Sequence, residues 1–358
     1  MSSEKRAFTK ALLKWHKKEN RRKMPWKGEK DPYRIWLSEI ILQQTRVDQG
    51  RVYYEKFLEA FPTVHDLAMA PEQKVFKLWE GLGYYNRCRN LIATAKKIDG
   101  EYNGIFPGTY EEILSLKGVG PYTAAAIASF AFDLPHAVVD GNVTRVLSRY
   151  FGDFTPIDST AGKKIFTALA AELLDEGQAS LYNQAIMDFG ATVCLPRNPL
   201  CAHCNQRTDC RAFEHGWINQ LPVKEKSIQK KQRWFYYFVV EAPGNMTYIR
   251  RRGEKDIWEG LFEFVLLETD HAIDTQAADH FRQLFGKQSL TVKHISTVYR
   301  QELSHQTIQG QFITLSLQRP VPILKDYLLI PRRQLADYAF PKLINAWLRD
   351  PSPAQSLF

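Results

Sequence analysis

The chain has 358 residues, enough for two domains that each bury a core of their own. Its 48 Lys and Arg against 39 Asp and Glu leave a net charge of +9 and a pI near 9.1, which favours polyanionic partners, nucleic acid first among them. No run approaches the ~18 apolar residues of a membrane span, and the charged N-terminus has no secretory core, so a soluble, intracellular protein without membrane partners is expected.

In chain order, residues 4 to 20 read as an amphipathic helix with Phe8, Leu12 and Trp15 on its apolar side, followed by a basic loop from Asn20 to Lys30. Asp31 and Pro32 are an N-cap and first-turn signal. The helix they open runs to about Val47 and is apolar nearly all round, so it must be buried. Glu39 is its anomaly. At 100° per residue it falls among Ile35, Trp36, Leu42 and Gln43 and has no solvent face. Dehydration disfavours a carboxylate, and a rise in pKa from about 4.3 to ~6.3 would take roughly 2.7 kcal/mol of differential environment. The result would be an acid usable near neutral pH. The plainer reading pairs Glu39 with Arg46 or with a neighbouring helix.

Short helices are predicted over 52–61, 64–70 and 71–78. The loop from Gly81 to Arg89 then presents Tyr84 and Tyr85 with Arg87 and Arg89, suited to stacking on bases and to binding phosphate, or else two half-buried tyrosines at a helix start. Helical patterns at 110–116 and 121–132 flank Gly118-Val119-Gly120, a tight hairpin between helices. Glycine there allows positive φ and close backbone approach, and the exposed N–H groups of the second helix make an anion site. Asp140 precedes a helix at 143–150 and is placed to cap it. A carboxylate held by a helix N-terminus stays ionised, as a stabiliser of a cationic transition state must.

Helices at 161–176 and 180–190 lead to Cys194-x6-Cys201-x2-Cys204-x5-Cys210. Four cysteines so close argue for a metal site in a reducing compartment rather than for disulfides, and such a set binds zinc or an iron-sulfur cluster. Cys88 reads as a packed thiol. Residues 222–232 form a charged linker. Beyond it strands are predicted at 234–240, 246–250, 261–267, 292–299 and 311–317, with helices at 274–285 and 341–348.

The hairpin LKGVGPYTA with Asp140 about twenty residues on, the helix LSEIILQQT and the six-two-five cysteine spacing resemble the helix-hairpin-helix DNA glycosylases of the endonuclease III superfamily. Members that form a Schiff base carry a hairpin lysine where this chain has Tyr122, and a phenol forms no imine. The resemblance is therefore to the adenine DNA glycosylases of the MutY type.

That resemblance implies a mainly α glycosylase region at 1–221 with a 4Fe-4S cluster on Cys194, Cys201, Cys204 and Cys210, the 222–232 linker, and an α+β Nudix-like recognition domain at 233–358. It implies a catalytic set of Glu39 as general acid, Asp140 as cation stabiliser, and Tyr122 and Asn142 as aligning groups. DNA contacts would come from Gln44, Tyr84, Arg87, Gly118, Gly120 and Arg197, and from Ser304 and His305 in a loop whose usual aromatic is Leu303. The partner would be double-stranded DNA with adenine opposite 8-oxoguanine or guanine, bound by a monomer. Two rivals stand beside this reading, a glycosylase with lyase activity and a non-catalytic lesion or redox sensor. Residues 274–286 offer only Asp274 and Asp279 for magnesium, so the second domain is expected to recognise rather than to catalyse.

Overall fold

The structure is a computed structural model that describes residues 3–225, 229–253, 256–275, 284–285, 290–317, 319 and 321–350. Its helices begin with α1 (Ser3–Lys18), α2 (Pro32–Leu42), α3 (Val47–Ala60), α4 (Val64–Met69), α5 (Glu72–Trp79) and α6 (Asn86–Glu101). They continue with α7 (Tyr110–Leu114), α8 (Pro121–Phe132), α9 (Gly141–Phe151), α10 (Thr160–Leu173), α11 (Ala179–Thr192) and α12 (Arg211–Glu214). Two compact units result, Met1–Met69 with Asn90–Ser227 and Ala70–Arg89 with Ile228–Phe358. The division at 227/228 falls inside the 222–232 stretch. Residues 70–89, expected with the N-terminal region, pack instead in the second unit. Among the described residues no helix is long and apolar enough to cross a membrane.

The first unit is helical. Asp31 caps α2 by accepting from the Tyr33 N–H at 2.8 Å, and Pro32 takes the first position, where no donor is needed. Ile35, Trp36, Leu37, Ile40 and Ile41 are all buried, contributing roughly 10 kcal/mol at about 2 kcal/mol each. That sum is large enough for the helix to carry one dehydrated carboxyl. Small residues on α8 (Ala124, Ala125, Ala126, Ala128) let α2 pack closely against it. A second core joins α1, α9, α10 and α11 through Phe8, Leu12, Trp15, Val146, Phe166 and Phe189.

The helix predicted to run to Val47 stops at Leu42. Gln43 turns to ψ 116° and Gln44 takes φ +57°, a left-handed conformation that ends the turn, and α3 then starts at Val47, five residues before its predicted start. α7, opened by a Thr109–Glu112 capping box, also ends early, at Leu114, and Gly118 follows at φ +78°.

In the second unit β1 (Lys231–Ala242), β2 (Met246–Arg251), β3 (Phe262–Glu263), β4 (Val265–Thr269), β5 (Leu290–Ile295), β6 (Tyr299–Glu302), β7 (Gln306–Leu317) and β8 (Leu328–Pro331) form one mixed sheet. β1 runs parallel to β7 and antiparallel to β2 and β4. The strand expected at 261–267 is broken at Phe264, and β6 and β8, which pair antiparallel with β7 and β2, have no counterpart among the expected strands. The C-terminal helix Lys342–Leu348 packs on this sheet, stacking Trp347 on Phe312 with ring centroids 4.7 Å apart. The helix predicted at 274–285 lies largely outside the described residues, and so does Asp279.

α10 begins on a close contact. Ser159 accepts from the Gly162 N–H at 2.9 Å and donates to the Pro156 carbonyl at 2.7 Å, and a Cβ on Gly162 would stand 2.0 Å from that carbonyl oxygen. We expect Gly162→Ala to cost about 2 kcal/mol or more and to lower the thermal midpoint of this unit by roughly 4 °C. An unchanged calorimetric midpoint would contradict the contact.

Candidate active site

Four residues expected to act together line one cavity of about 750 Å³ in the first unit: Glu39, Tyr122, Asp140 and Asn142. The volume is in the range of sites that enclose a small organic ligand. Glu39 projects from α2 and is 7 % exposed. Dehydration pushes its pKa up from the ordinary 4.5 to about 7; a hydrogen bond from Tyr122 opposes the rise, and the charge of Asp140 adds to it. Arg46, the alternative partner, is exposed and lies at the start of α3.

Asp140 meets a different environment. It caps α9, accepting from the backbone N–H of Asn142 at 2.8 Å and of Val143 at 2.7 Å. Its other oxygen accepts from Asn142 Nδ2 at 2.8 Å. Three donors and a helix N-terminus thus fix the direction of this carboxyl. Asn142 is itself held, because its Oδ1 accepts from Arg145 Nη2 at 2.9 Å. Buried Arg145 also donates to the carbonyls of Gly190 at 2.7 Å and Cys194 at 2.8 Å. α11 comes this close only because residue 190 is glycine; a Cβ there would lie 2.8 Å from Asn142 Cβ.

Arg145 is absent from the residues expected at the site, although an arginine one turn after the Asp140 cap, beside the buried Val146 and Leu147, is a usable signal. Asp188 reads in the sequence only as part of a helix end. It is fully buried on α11 and takes Arg22 at 2.9 Å, Lys27 at 3.0 Å, Asn20 at 2.7 Å and Gln184 at 3.0 Å. Arg22, Lys27, Gln184 and Trp26 line the same cavity, so Asp188 moors the loop that forms its wall.

The remaining expected residues are dispersed. Gln44 is exposed at the cavity, and the hairpin glycines Gly118 and Gly120 are exposed on the first unit, as is Arg197 in the cysteine loop. Thr94 steadies the hairpin by donating to the Lys117 carbonyl at 2.8 Å. In the second unit Tyr84 is 48 % exposed at φ +49°, and its hydroxyl is hydrogen-bonded to that of Ser304. His305 is exposed beside it in the chain. Tyr85 is buried and accepts from the Gly81 N–H at 3.2 Å, so one tyrosine of the pair is displayed and the other packed. Arg87, expected at a phosphate, is buried. Its guanidinium lies 5.2 Å from the Trp79 ring and 5.5 Å from the Tyr84 ring and donates to the Gly83 carbonyl, which shapes the loop rather than presenting charge.

Cys194, Cys201, Cys204 and Cys210 line a second cavity, with Arg149 donating to Cys194 Sγ at 3.5 Å. Among the described residues no three His, Cys, Asp or Glu side chains are arranged around a point where one metal ion would sit. The lining nevertheless suits a larger, sulfur-rich group. Tyr150 borders the cavity, and its hydroxyl is shielded with no hydrogen-bond partner among the described residues. Such a donor costs about 1–3 kcal/mol unless something accepts from it. Cys88 is buried elsewhere, as a packed thiol.

Residues 37–169 match the HhH-GPD superfamily base excision DNA repair proteins, and residues 236–350 match the NUDIX domain. The adenine DNA glycosylase of Buchnera aphidicola subsp. Baizongia pistaciae is 36 % identical over 257 residues, covering 72 % of this chain and 73 % of that protein. The chain belongs to the adenine DNA glycosylase family. It is a DNA glycosylase of base excision repair, a hydrolase of N-glycosyl bonds. The human family member is 42 % identical over 228 residues, which is 61 % of this chain and 42 % of that longer protein. Among solved structures a thermostable thymine-DNA glycosylase is 31 % identical with a TM-score of 0.55, covering 59 % of this chain and 97 % of that one. An endonuclease III bound to DNA, at 21 % identity and a TM-score of 0.51, shares the fold over 60 % of this chain and 99 % of that one.

For this glycosylase, the raised pKa of Glu39 links the candidate site to stability. The folded state holds the proton more tightly than the unfolded chain, so its contribution is full below about pH 4.5 and is lost as pH rises towards 7. Glu39→Gln removes that loss. We expect the variant to gain up to ~3 kcal/mol over the parent at pH 8 and little at pH 4. Urea unfolding at the two pH values checks this, and equal effects at both would show that Glu39 is not dehydrated.

Proposed function

We propose that this chain excises adenine from double-stranded DNA where it is mispaired with 8-oxoguanine or guanine, leaving an abasic site. The observation that carries the reading is the pair of carboxyls lining one cavity in opposite environments, Glu39 dehydrated and Asp140 bound by three N–H donors. An adenine within a duplex is out of reach and must be extruded, at a cost of a few kcal/mol. Glu39 then protonates the base at N7, making it a better leaving group, while the sugar becomes oxocarbenium-like. Asp140 stabilises that cation, Tyr122 and Asn142 align the two acids, and Glu39, now a base, activates the attacking water. Tyr122 occupies the hairpin position and offers no amine. Lys27 and Lys30, which do line the cavity, are bound to Asp188 and to Asp133 respectively, so hydrolysis is favoured over Schiff-base chemistry.

Duplex binding is assigned to Gln44 at the cavity, to the hairpin at Gly118 and Gly120, and to Arg197. In the second unit it is assigned to Tyr84, Ser304 and His305, with Arg87 supporting the tyrosine loop. Residues 1–221 supply the chemistry and 233–358 inspect the base opposite; Leu303 gives that inspecting loop no stacking face. Cys194, Cys201, Cys204 and Cys210 hold a 4Fe-4S cluster, which clips the loop carrying Arg197 in place and moves no electrons in the hydrolysis. The active species is a monomer, and its unpaired cysteines suit a reducing cytoplasm.

Single-turnover cleavage of a duplex with adenine opposite 8-oxoguanine tests the reading. The parent should release adenine and leave no adduct after borohydride treatment. Glu39→Gln should lose at least about 10³-fold in rate while keeping its DNA affinity. Near-parental excision by that variant would remove Glu39 from the role of acid, and a trapped adduct would restore the lyase. Iron analysis of protein purified anaerobically should find about four irons per chain. Zinc in their place would overturn the cluster.

A further inference from the structure

Asn183 lies inside α11, between Tyr182 and Gln184, and is fully buried. A buried amide must satisfy both its oxygen and its nitrogen, and this one satisfies both on a single stretch of backbone. Its Oδ1 accepts from the Val138 N–H at 3.0 Å and its Nδ2 donates to the His136 carbonyl at 2.8 Å. A residue of an adjacent parallel strand would pair with this backbone in the same pattern. Here one side chain of a helix takes the strand's place. A leucine would fill the same space and leave the N–H and the carbonyl unpaired, so volume alone does not account for an amide at this position.

The backbone it holds leads directly to the candidate site. Residues 134–139 join α8 to α9 and form neither helix nor strand, so no ladder of their own fixes them. The His136 ring stacks on Tyr110 of α7 with centroids 4.2 Å apart. Val138 is buried with Ala125 and Ala126 of α8, in a cluster against which Tyr122 also packs. Asp140 is the next residue but one. Two planar peptide units separate it from Val138, too short a link to absorb a displacement of the strand. The cap bonds of α9 fix the direction of the Asp140 carboxylate, but where that carboxylate stands relative to Tyr122 depends on the 136–138 backbone. Asn183 does not line the cavity, so any effect it has on the reaction passes through Asp140.

We propose that Asn183 is a positioning residue for the glycosidic reaction: its amide holds the 136–138 backbone so that Asp140 stands at the sugar of the extruded adenosine, in one cavity with Glu39 and Tyr122. The inference rests on the excision reading above and adds to it a residue that touches none of the reacting atoms. A reacting group displaced by about 1 Å loses on the order of 10²-fold in rate.

The test measures single-turnover release of adenine opposite 8-oxoguanine at about pH 6, with duplex affinity and circular dichroism measured beside it. Asn183→Leu keeps the volume and removes both hydrogen bonds; its rate should fall on the order of 10²-fold while affinity and circular dichroism stay parental. Asn183→Asp is the conservative rescue, because a buried carboxyl is held protonated and then offers one donor and one acceptor as the amide does. It should excise at close to the parental rate. A parental rate in Asn183→Leu would overturn the inference, as would a rate that falls only in step with affinity, or an Asp variant as slow as the Leu variant. Should Asn183→Leu fail to fold, Asn183→Ala, which removes the same bonds without crowding, is read in its place; failure of both to fold would make the amide a determinant of the fold and overturn the inference too. An inactive parent would overturn the excision reading and this inference together, whereas an active parent matched by Asn183→Leu overturns this inference alone.

Discussion

Two carboxyl groups in one cavity repel each other when both are charged, and the first unit is built so that they differ. Burial in α2 withholds water from Glu39, while α9 directs backbone N–H groups at Asp140. Each environment reinforces the other. The charge fixed on Asp140 raises the pKa of Glu39, and a protonated Glu39 removes the repulsion that would disturb Asp140. Dehydration dominates, since it is the largest cause of the rise and the Tyr122 hydrogen bond only moderates it. In the proposed reaction the phenol is better understood as an aligning group, because a carboxyl that would first give up a proton and then take one needs a fixed direction as well as a suitable pKa.

Alignment on the other side extends through the molecule. Asp140 is held by Asn142, Asn142 by Arg145, and Arg145 by carbonyls at Gly190 and at Cys194, the first residue of the cysteine loop. This chain of short hydrogen bonds gives the cysteine loop a mechanical tie to the carboxylate without any electron transfer. Asp188 plays the matching part for the cavity wall. Buried and bound to two cations and two amides, it is costly to leave unpaired, so the loop bearing Arg22 and Lys27 stays closed onto α11.

Much of this is legible in the sequence, and the parts that are not share a cause. Glu39 stands out because a polar residue interrupts a helix apolar on every side, Asp140 because a helix needs a cap, and the cysteines because their spacing is local. These are features of a single element. Asp188 and Arg145 acquire their roles from partners far along the chain, Arg22 for the first and Gly190 for the second, and no periodicity records such contacts. The end of α2 is hidden for a different reason. Gln43-Gln44-Thr45 has no glycine or proline to mark a break, and the left-handed turn at Gln44 goes against the preference of its residue type. β6 and β8 are only four residues long, too short for alternation to declare them, and their strand character comes from the sheet beside them.

The placement of residues 70–89 bears on how recognition is divided from chemistry. This segment is tied into the second unit by Glu72 with Arg251 at 3.2 Å, Arg89 with Glu259 at 3.0 Å, Lys77 to the Tyr338 carbonyl at 2.9 Å and Gln73 to the Asp337 carbonyl at 3.2 Å. Gly260, at φ +87°, lets its backbone approach Phe76; a Cβ there would lie 2.9 Å from that ring. The exposed Tyr84 and the Ser304 loop are therefore held by one body, with their hydroxyls already in contact. In the proposed function Tyr84 and the Ser304 loop act on neighbouring positions of a duplex. Fixing both in one unit sets their spacing beforehand, so binding as proposed does not have to bear the entropy of ordering them. Glu39 and Asp140, by contrast, are held in one cavity by helices of the first unit, which would preorganise them for the extruded nucleoside of the proposed reaction.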